Sequence, residues 1–204
     1  MITAALRRNP LPAASNQLVR GAEAWPSVRE SAAQIVCACR RGNRGAQREL
    51  YDRCSPKVFR LVVRMVGIQE AEDLTQQIFF QTYRTIHQYS ARSGFETWLY
   101  RLAINECLQF LRYAKRHPSE RLRYEPVDRS AGHARELQSR ELLDRGLQRL
   151  DPELRAVFLL REVKRLGYRA LAHTLKISEG TVASRLNRAR SKLKEHLLEL
   201  GWEF

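Results

Sequence analysis

The sequence predicts an all-α protein built as two small helical domains joined by a flexible linker, the second domain containing a helix-turn-helix. Three observations carry that prediction. Apolar residues recur at three- and four-residue intervals through most of the chain, the period of a helix with one buried face. Only 10 Gly and 7 Pro occur in 204 residues, too few for the frequent turns of a β-sandwich. Hydrophobic residues make up 44% of the chain, which supplies a core and excludes wholesale disorder.

Residues 1–30 contain arginine and little acid, but Pro10 and Pro12 interrupt any amphipathic helix and no signal-peptide apolar core is present. They read as a flexible N-terminal extension. The first domain spans 31–113. Leu50, Val58, Leu61, Val62 and Met65, with Tyr51 and Phe59, are predicted to line two successive helices. Pro56 falls near the start of the second, and Gly67 is placed to end it. The next helix opens on Glu70, Glu72 and Asp73, acids in a first turn where the macrodipole favours them. It continues along the stripe Leu74, Ile78, Phe79, Thr82, Tyr83 and Ile86. Residues 88–94 break the period and read as a loop. A further helix runs from about Phe95 through Trp98, Leu102, Ile104 and Leu108 to Leu111.

Residues 114–140 are dense in charge, interrupted by Pro118, Pro126 and Gly132 and poor in large apolar side chains, as an interdomain linker is. The second domain spans 141–204. Its clearest boundary is Asp151-Pro152, a residue suited to capping followed by proline at the first helical position. Leu154, Val157, Phe158 and Leu160 form the apolar side of that helix. A short helix over 168–175 follows, with Leu171, Ala172 and Leu175 facing inward. Lys176-Ile177-Ser178 makes a tight turn, and a second helix runs from Gly180 to about Leu193. Val182, Leu186, Ala189 and Leu193 occupy its buried positions, and Ser178 can cap it. Short helix, three-residue turn and longer helix make a helix-turn-helix, whose second helix can enter a major groove.

Charge narrows the function. Lys plus Arg number 36 against 22 Asp plus Glu, a formal net charge of +14, and the excess is spread along the whole chain. A distributed excess suits a polyanion followed over much of the molecular surface. On the second helix of the helix-turn-helix, Thr181, Ser184, Arg185 and Arg188 occupy the early turns, where base edges and phosphates are met. Arg185, Arg188, Arg190, Lys192 and Lys194 form a basic run. An amphipathic hairpin with a merely solvated basic face has the same pattern. No apolar run approaches the length of a membrane span. No P-loop, Gly-rich dinucleotide turn, HExxH or nucleophile elbow is present, so no catalytic residues are assigned. The cysteines Cys37, Cys39, Cys54 and Cys107 lack the spacing of a zinc site. No metal or cofactor is expected. Cys37 and Cys39, with or without Cys54, could still bind a metal or respond to oxidation, against the simpler reading of idle thiols.

Two motif sets then resemble one family. Asp151-Pro152-Glu153, Val157-Phe158-Leu159-Leu160-Arg161-Glu162 and the run from Ile177 to Arg190 resemble region four of bacterial sigma factors, more narrowly of the extracytoplasmic-function group. The run from Glu70 to Phe79 resembles region 2.2 of that group, and the run from Phe95 to Ala103 its next segment. The resemblance covers about residues 35–195 in family order.

It implies a specificity subunit that binds the core of bacterial RNA polymerase, directs it to promoters and assists DNA opening, and that catalyses nothing itself. By similarity, Asp73, Gln76, Gln77 and Phe80 would dock on the clamp helices of the largest polymerase subunit; Gln77 stands where the family usually has Glu. The loop from Tyr89 to Gly94 would receive a base flipped from the minus-ten element, with Tyr89, Arg92 and Phe95 contributing. Trp98 would stack on DNA or sit in the core, and Arg101 and Arg112 would bind backbone phosphate. Thr181, Ser184, Arg185 and Arg188 would read the minus-thirty-five element, with Ser178 contacting DNA or only capping. Ile104 stands where the family commonly has Arg, and Gly167, Arg169 and His173 replace a hydroxyl residue and acids. The family further implies an anti-sigma partner, a cytoplasmic location and no direct membrane insertion. An autonomous helix-turn-helix regulator is the alternative, accounting for the second domain alone. A basic RNA-binding protein accounts only for the charge.

Overall fold

The computed structural model describes residues 29–91, 93–117 and 134–202. The N-terminal extension up to residue 28, the middle of the linker and Arg92 lie outside the described residues. Eight α-helices are described: α1 Arg29–Arg40, α2 Arg44–Val66, α3 Ala71–Thr85, α4 Phe95–Arg116, α5 Ala134–Gln148, α6 Pro152–Glu162, α7 Tyr168–Leu175 and α8 Glu179–Glu199, with a single 3-10 turn at Ile86–Gln88 after α3. No strand occurs among the described residues. The all-α expectation holds. Helix extends into both ends of the segment read as linker, since α4 runs to Arg116 and α5 starts at Ala134. Two compact units divide between Glu106 and Cys107, seven residues short of the boundary expected at 113.

The first unit corrects one element. Residues 44–66 form one helix, not two, with Pro56 inside it. Leu50, Cys54, Val58, Leu61, Val62 and Met65 are all buried on a continuous face that passes straight through the proline. Packing of that face holds the helix together where proline removes one hydrogen bond. Tyr51 and Phe59 are less covered than expected: Phe59 is half-buried, and Tyr51 is exposed although its ring meets the Phe79 ring edge-on at 4.8 Å. Asn43 starts α2 by accepting the Ala46 N–H at 3.0 Å. Gly67 ends it at φ +102°, a conformation that favours glycine, with its N–H on Val63 O at 2.8 Å.

Helix α3 buries Leu74, Thr75, Ile78, Phe79 and Thr82, close to the expected stripe. The Tyr83 hydroxyl donates to Gln47 O of α2 at 2.8 Å, and Lys57 of α2 meets Glu96 in the first turn of α4 at 2.7 Å. These bonds fix α3 and the start of α4 against α2, so the loop between them has two firm ends.

In the second unit, α6 is buried over seven consecutive residues, Leu154 to Leu160, more than the single apolar side read from the sequence. A helix buried all round is a central one. Helix α8 packs on it through Val182, Leu186, Ala189, Leu193 and Leu197. A Cβ at Gly146 of α5 would lie 3.0 Å from Leu197 Cδ2, so the close approach of α5 to α8 depends on the missing side chain. Arg155, only 5% exposed, donates to Gln148 O and, at 2.9 Å, to Leu150 O. A cation at the C-terminal end of α5 complements that helix's dipole and satisfies carbonyls left over at its end.

Candidate nucleic-acid interface

Four of the residues singled out by sequence share one face. Asp73, Gln76, Gln77 and Phe80 are spaced i, i+3, i+4 and i+7 along α3, and all four are exposed. Phe80 is 64% exposed, with the Arg84 guanidinium 5.7 Å from its ring centre. A large aromatic side chain left in water beside two amides and a carboxylate is an incomplete surface, suited to a partner.

The loop after α3 is organised around Tyr89. Its hydroxyl donates to Ser93 O at 2.8 Å, closing the loop on itself. Its ring lies 5.5 Å from Phe95, edge-on, and 5.8 Å from Trp98, while Phe95 and Trp98 are 5.6 Å apart. Phe95 and Trp98 are each 7% exposed, so both belong to the core, as the spacing of Trp98 with Leu102 allowed. Tyr89 is half-buried, and burial pushes its phenol above the ordinary range. Ala91 takes a left-handed conformation at φ +57°, a small strain for an alanine. Arg101 is partly exposed near the start of α4, and Arg112 is exposed near its end.

Sequence reasoning missed Arg40. Its Nε donates to Ile86 O at 3.2 Å, its Nη2 donates to Tyr89 O, and its guanidinium lies 5.9 Å from the Tyr89 ring centre. The partners are 46 and 49 residues away, beyond any periodicity signal.

The helix-turn-helix is assembled almost as read. Helix α7 is Tyr168–Leu175, with Leu171 and Thr174 buried and Ala172 and Leu175 half-buried. Gly167 offers no side-chain cap. Arg161 secures the entry instead, donating to Leu166 O at 2.8 Å with its guanidinium 5.3 Å from the Tyr168 ring centre. Lys176 makes the turn at φ +54°. Ser178 caps α8, its Oγ accepting the Thr181 N–H at 3.1 Å and lying 2.8 Å from Thr181 Oγ1. Ser184 Oγ donates to Thr181 O at 3.1 Å. Helix α8 continues to Glu199, beyond the expected end.

The basic run is less free than its sequence implies. Arg185 meets Glu153 at 2.6 Å, Arg190 meets Glu162 at 2.7 Å and Lys192 meets Asp151 at 3.3 Å. Three carboxylates at and around α6 thus hold three cations of α8. Arg188 is exposed and has no ion pair among the described residues. Thr181, Ser184 and Arg188 lie on one side of α8, with Arg185 beside them. Cys37 is exposed while Cys39, Cys54 and Cys107 are buried. Two residues apart on a helix, Cys37 and Cys39 point in nearly opposite directions. No cluster of three metal-ligating side chains exists among the described residues.

The chain matches the model of sigma-70 region 2 over residues 50–117 and that of sigma-70 region 4 over residues 140–193. The RNA polymerase sigma-H factor of Pseudomonas aeruginosa is 32% identical over 85% of this chain and 97% of its own length. The extracytoplasmic-function sigma-E factor of Haemophilus influenzae is 30% identical over 81% of this chain and 95% of its own length.

The chain belongs to the extracytoplasmic-function RNA polymerase sigma factors.

The sigma factor SigE of Mycolicibacterium smegmatis is 33% identical over 73% of this chain, which spans 60% of that protein's length. The fold agrees. The sigma factor RpoE of Bartonella quintana, solved in complex with the anti-sigma factor NepR, superposes with a TM-score of 0.62 at 21% identity, covering 74% of this chain and 95% of that one. This sigma factor is therefore a DNA-binding factor of transcription initiation, with both sigma regions in family order. An autonomous helix-turn-helix regulator leaves the region 2 match without a role and is not favoured. No helix among the described residues is long and apolar enough to cross a membrane.

Proposed function

We propose that the exposed face of α3 is the docking surface for RNA polymerase core, and that the loop after α3 and the helix α8 read the two promoter elements. The exposed Phe80, flanked by Asp73, Gln76 and Gln77 on one helix face, carries this reading. The four side chains supply one apolar anchor, two amides that can both donate and accept, and one carboxylate. The clamp helices of the largest polymerase subunit are the partner.

At the minus-ten element, Tyr89 and Arg92 would meet the captured base, with Phe95 and Trp98 as the wall behind Tyr89. Unstacking a base costs a few kcal/mol, which stacking and hydrogen bonding in the loop must offset. Arg101 and Arg112 would bind backbone phosphate. At the minus-thirty-five element, Thr181, Ser184, Arg185 and Arg188 would reach the groove while Ser178 holds the end of α8 in place. DNA must compete with Glu153 for Arg185, whereas Arg188 is available from the start. The protein acts in the cytoplasm, where polymerase and promoter are, and performs no bond-making step of its own. An anti-sigma factor, such as the one bound by the Bartonella relative, covers these surfaces until they are needed.

The test is co-elution of the full chain with bacterial core polymerase on a sizing column. The wild-type chain is expected to co-elute, and the triple variant Gln76→Ala, Gln77→Ala, Phe80→Ala to elute alone with its helical content intact. A triple variant that binds core as tightly as wild type sinks the docking assignment.

A further inference from the structure

We infer that Arg40 is a positioning residue for base selection, holding the loop after α3 in its capturing form from a helix that carries no other residue of the interface. The inference rests on the base-capture reading of that loop.

Ile86 O and Tyr89 O bracket the 3-10 turn that follows α3, where the regular helical ladder of carbonyls has ended. Arg40 donates to both through different nitrogens of one planar guanidinium, so a rigid fork spans the turn and fixes the direction in which the chain leaves it. The Tyr89 N–H also donates to Ile86 O, at 3.2 Å. The Arg40 guanidinium lies 5.9 Å from the Tyr89 ring centre, and the far end of that side chain is tied to Ser93 O at 2.8 Å. Tyr89 is thereby held at its carbonyl, its ring and its hydroxyl, and the first and last of these holds set the width of the loop.

Arg40 is exposed at the last residue of α1, so water can take over both carbonyls when the fork is removed. Its loss should cost little stability and should loosen the loop. That separates positioning from general support of the fold. It also separates positioning from a phosphate contact, which would weaken all sequences alike and lower the salt dependence of binding.

The experiment uses holoenzyme made from core polymerase and the full chain, with a library of duplex DNA randomised over the minus-ten segment. Bound and opened molecules are sequenced for wild type, Arg40→Met and Arg40→Lys. Arg40→Met is expected to co-elute with core and to bind the pooled library within twofold of wild type with an unchanged salt slope. Its discrimination at the captured position should fall about tenfold. Arg40→Lys, with a charge but no fork, should fall about threefold. Hydrogen exchange at the Ser90 and Ser93 amides should quicken in Arg40→Met. If Arg40→Met loses its helical melt, Arg40→Gln and Arg40→Lys decide. Full discrimination in the folded variants overturns the inference and leaves base capture standing. A uniform loss of binding with a reduced salt slope also overturns it. A wild-type holoenzyme with no base preference in the randomised segment removes the base-capture reading, and the inference with it.

Discussion

Around the loop after α3, the holding contacts run from a guanidinium to main-chain carbonyls and between aromatic rings. Along α8 they run from arginine and lysine to carboxylates. Under the proposed function the two regions are asked for different things. A pocket for an unstacked base must keep its shape before DNA arrives, and ring packing gives no anion a reason to displace it. A groove-reading helix must release its cations to phosphates and bases, and exchange of one anion for another does this at small net cost. Partly exposed ion pairs are also screened by salt, whereas ring packing is not. The promoter-reading surfaces should therefore differ in salt response, and perturbations can be ranked by how far they expose that difference.

The largest effect belongs to the shared foundation. Ile78→Ala in α3 and Leu186→Ala in α8 each empty a fully buried site and should each cost about 2–5 kcal/mol in urea unfolding. A loss under 1 kcal/mol for Leu186→Ala would mean that α8 is not seated as described.

Alkaline pH should strain the first unit next. Burial pushes the Cys54 thiol from 9.0 up to about 11. Between those values the unfolded chain has lost a proton that the folded chain keeps, so stability falls as pH rises, by up to about 1.4 kcal/mol per pH unit. Read near pH 9, where the phenols of Tyr83 and Tyr100, ordinarily at 10.0, contribute least, the slope should become shallower in Cys54→Ala, with the Cys39 thiol, also pushed up by burial, supplying part of what remains. An unchanged slope would place its origin elsewhere.

The two capping positions of the second unit should then separate. Ser178 caps through its hydroxyl, and Ser178→Ala should cost about 1 kcal/mol. Asp151 occupies an N-cap position without a side-chain cap bond, and Asp151→Ala should cost only a few tenths, from its exposed pair with Lys192. Thermal unfolding of both variants reads the contrast, which equal losses would erase.

The smallest effect on stability, but the most direct probe of the comparison, is Glu153→Gln. It should change unfolding by less than about 0.5 kcal/mol while releasing Arg185. Holoenzyme binding to a duplex bearing the minus-thirty-five element should tighten several-fold at low salt, with a steeper salt dependence. Tyr89→Phe should leave that dependence unchanged.

Much of this was legible in the chain. The period of Val182, Leu186, Ala189 and Leu193, the capping Ser178 and the acids at the start of α3 are local signals, and each marked the start of its element nearly to the residue, while α8 runs on to Glu199. The face of Asp73, Gln76, Gln77 and Phe80 came from the family resemblance, with Gln76, Gln77 and Phe80 also lying off the apolar stripe. Misreadings arose where a local rule met a stronger distant one. Pro56 signals a helix start, yet an unbroken apolar face carries α2 through it. Arg155, which no sequence signal singled out, is buried where carbonyls past the end of α5 accept from it.

The sequence by itself determined the helices, the helix-turn-helix and the family, because helix periodicity, capping and motif order are all written in neighbours a few residues apart. Only the tertiary structure decided which charged side chains are committed and which remain available. Arg40, Arg185 and Arg190 find their partners 28 to 49 residues away, and a guanidinium gives no hint in sequence of which carbonyl or carboxylate the fold will set within its reach.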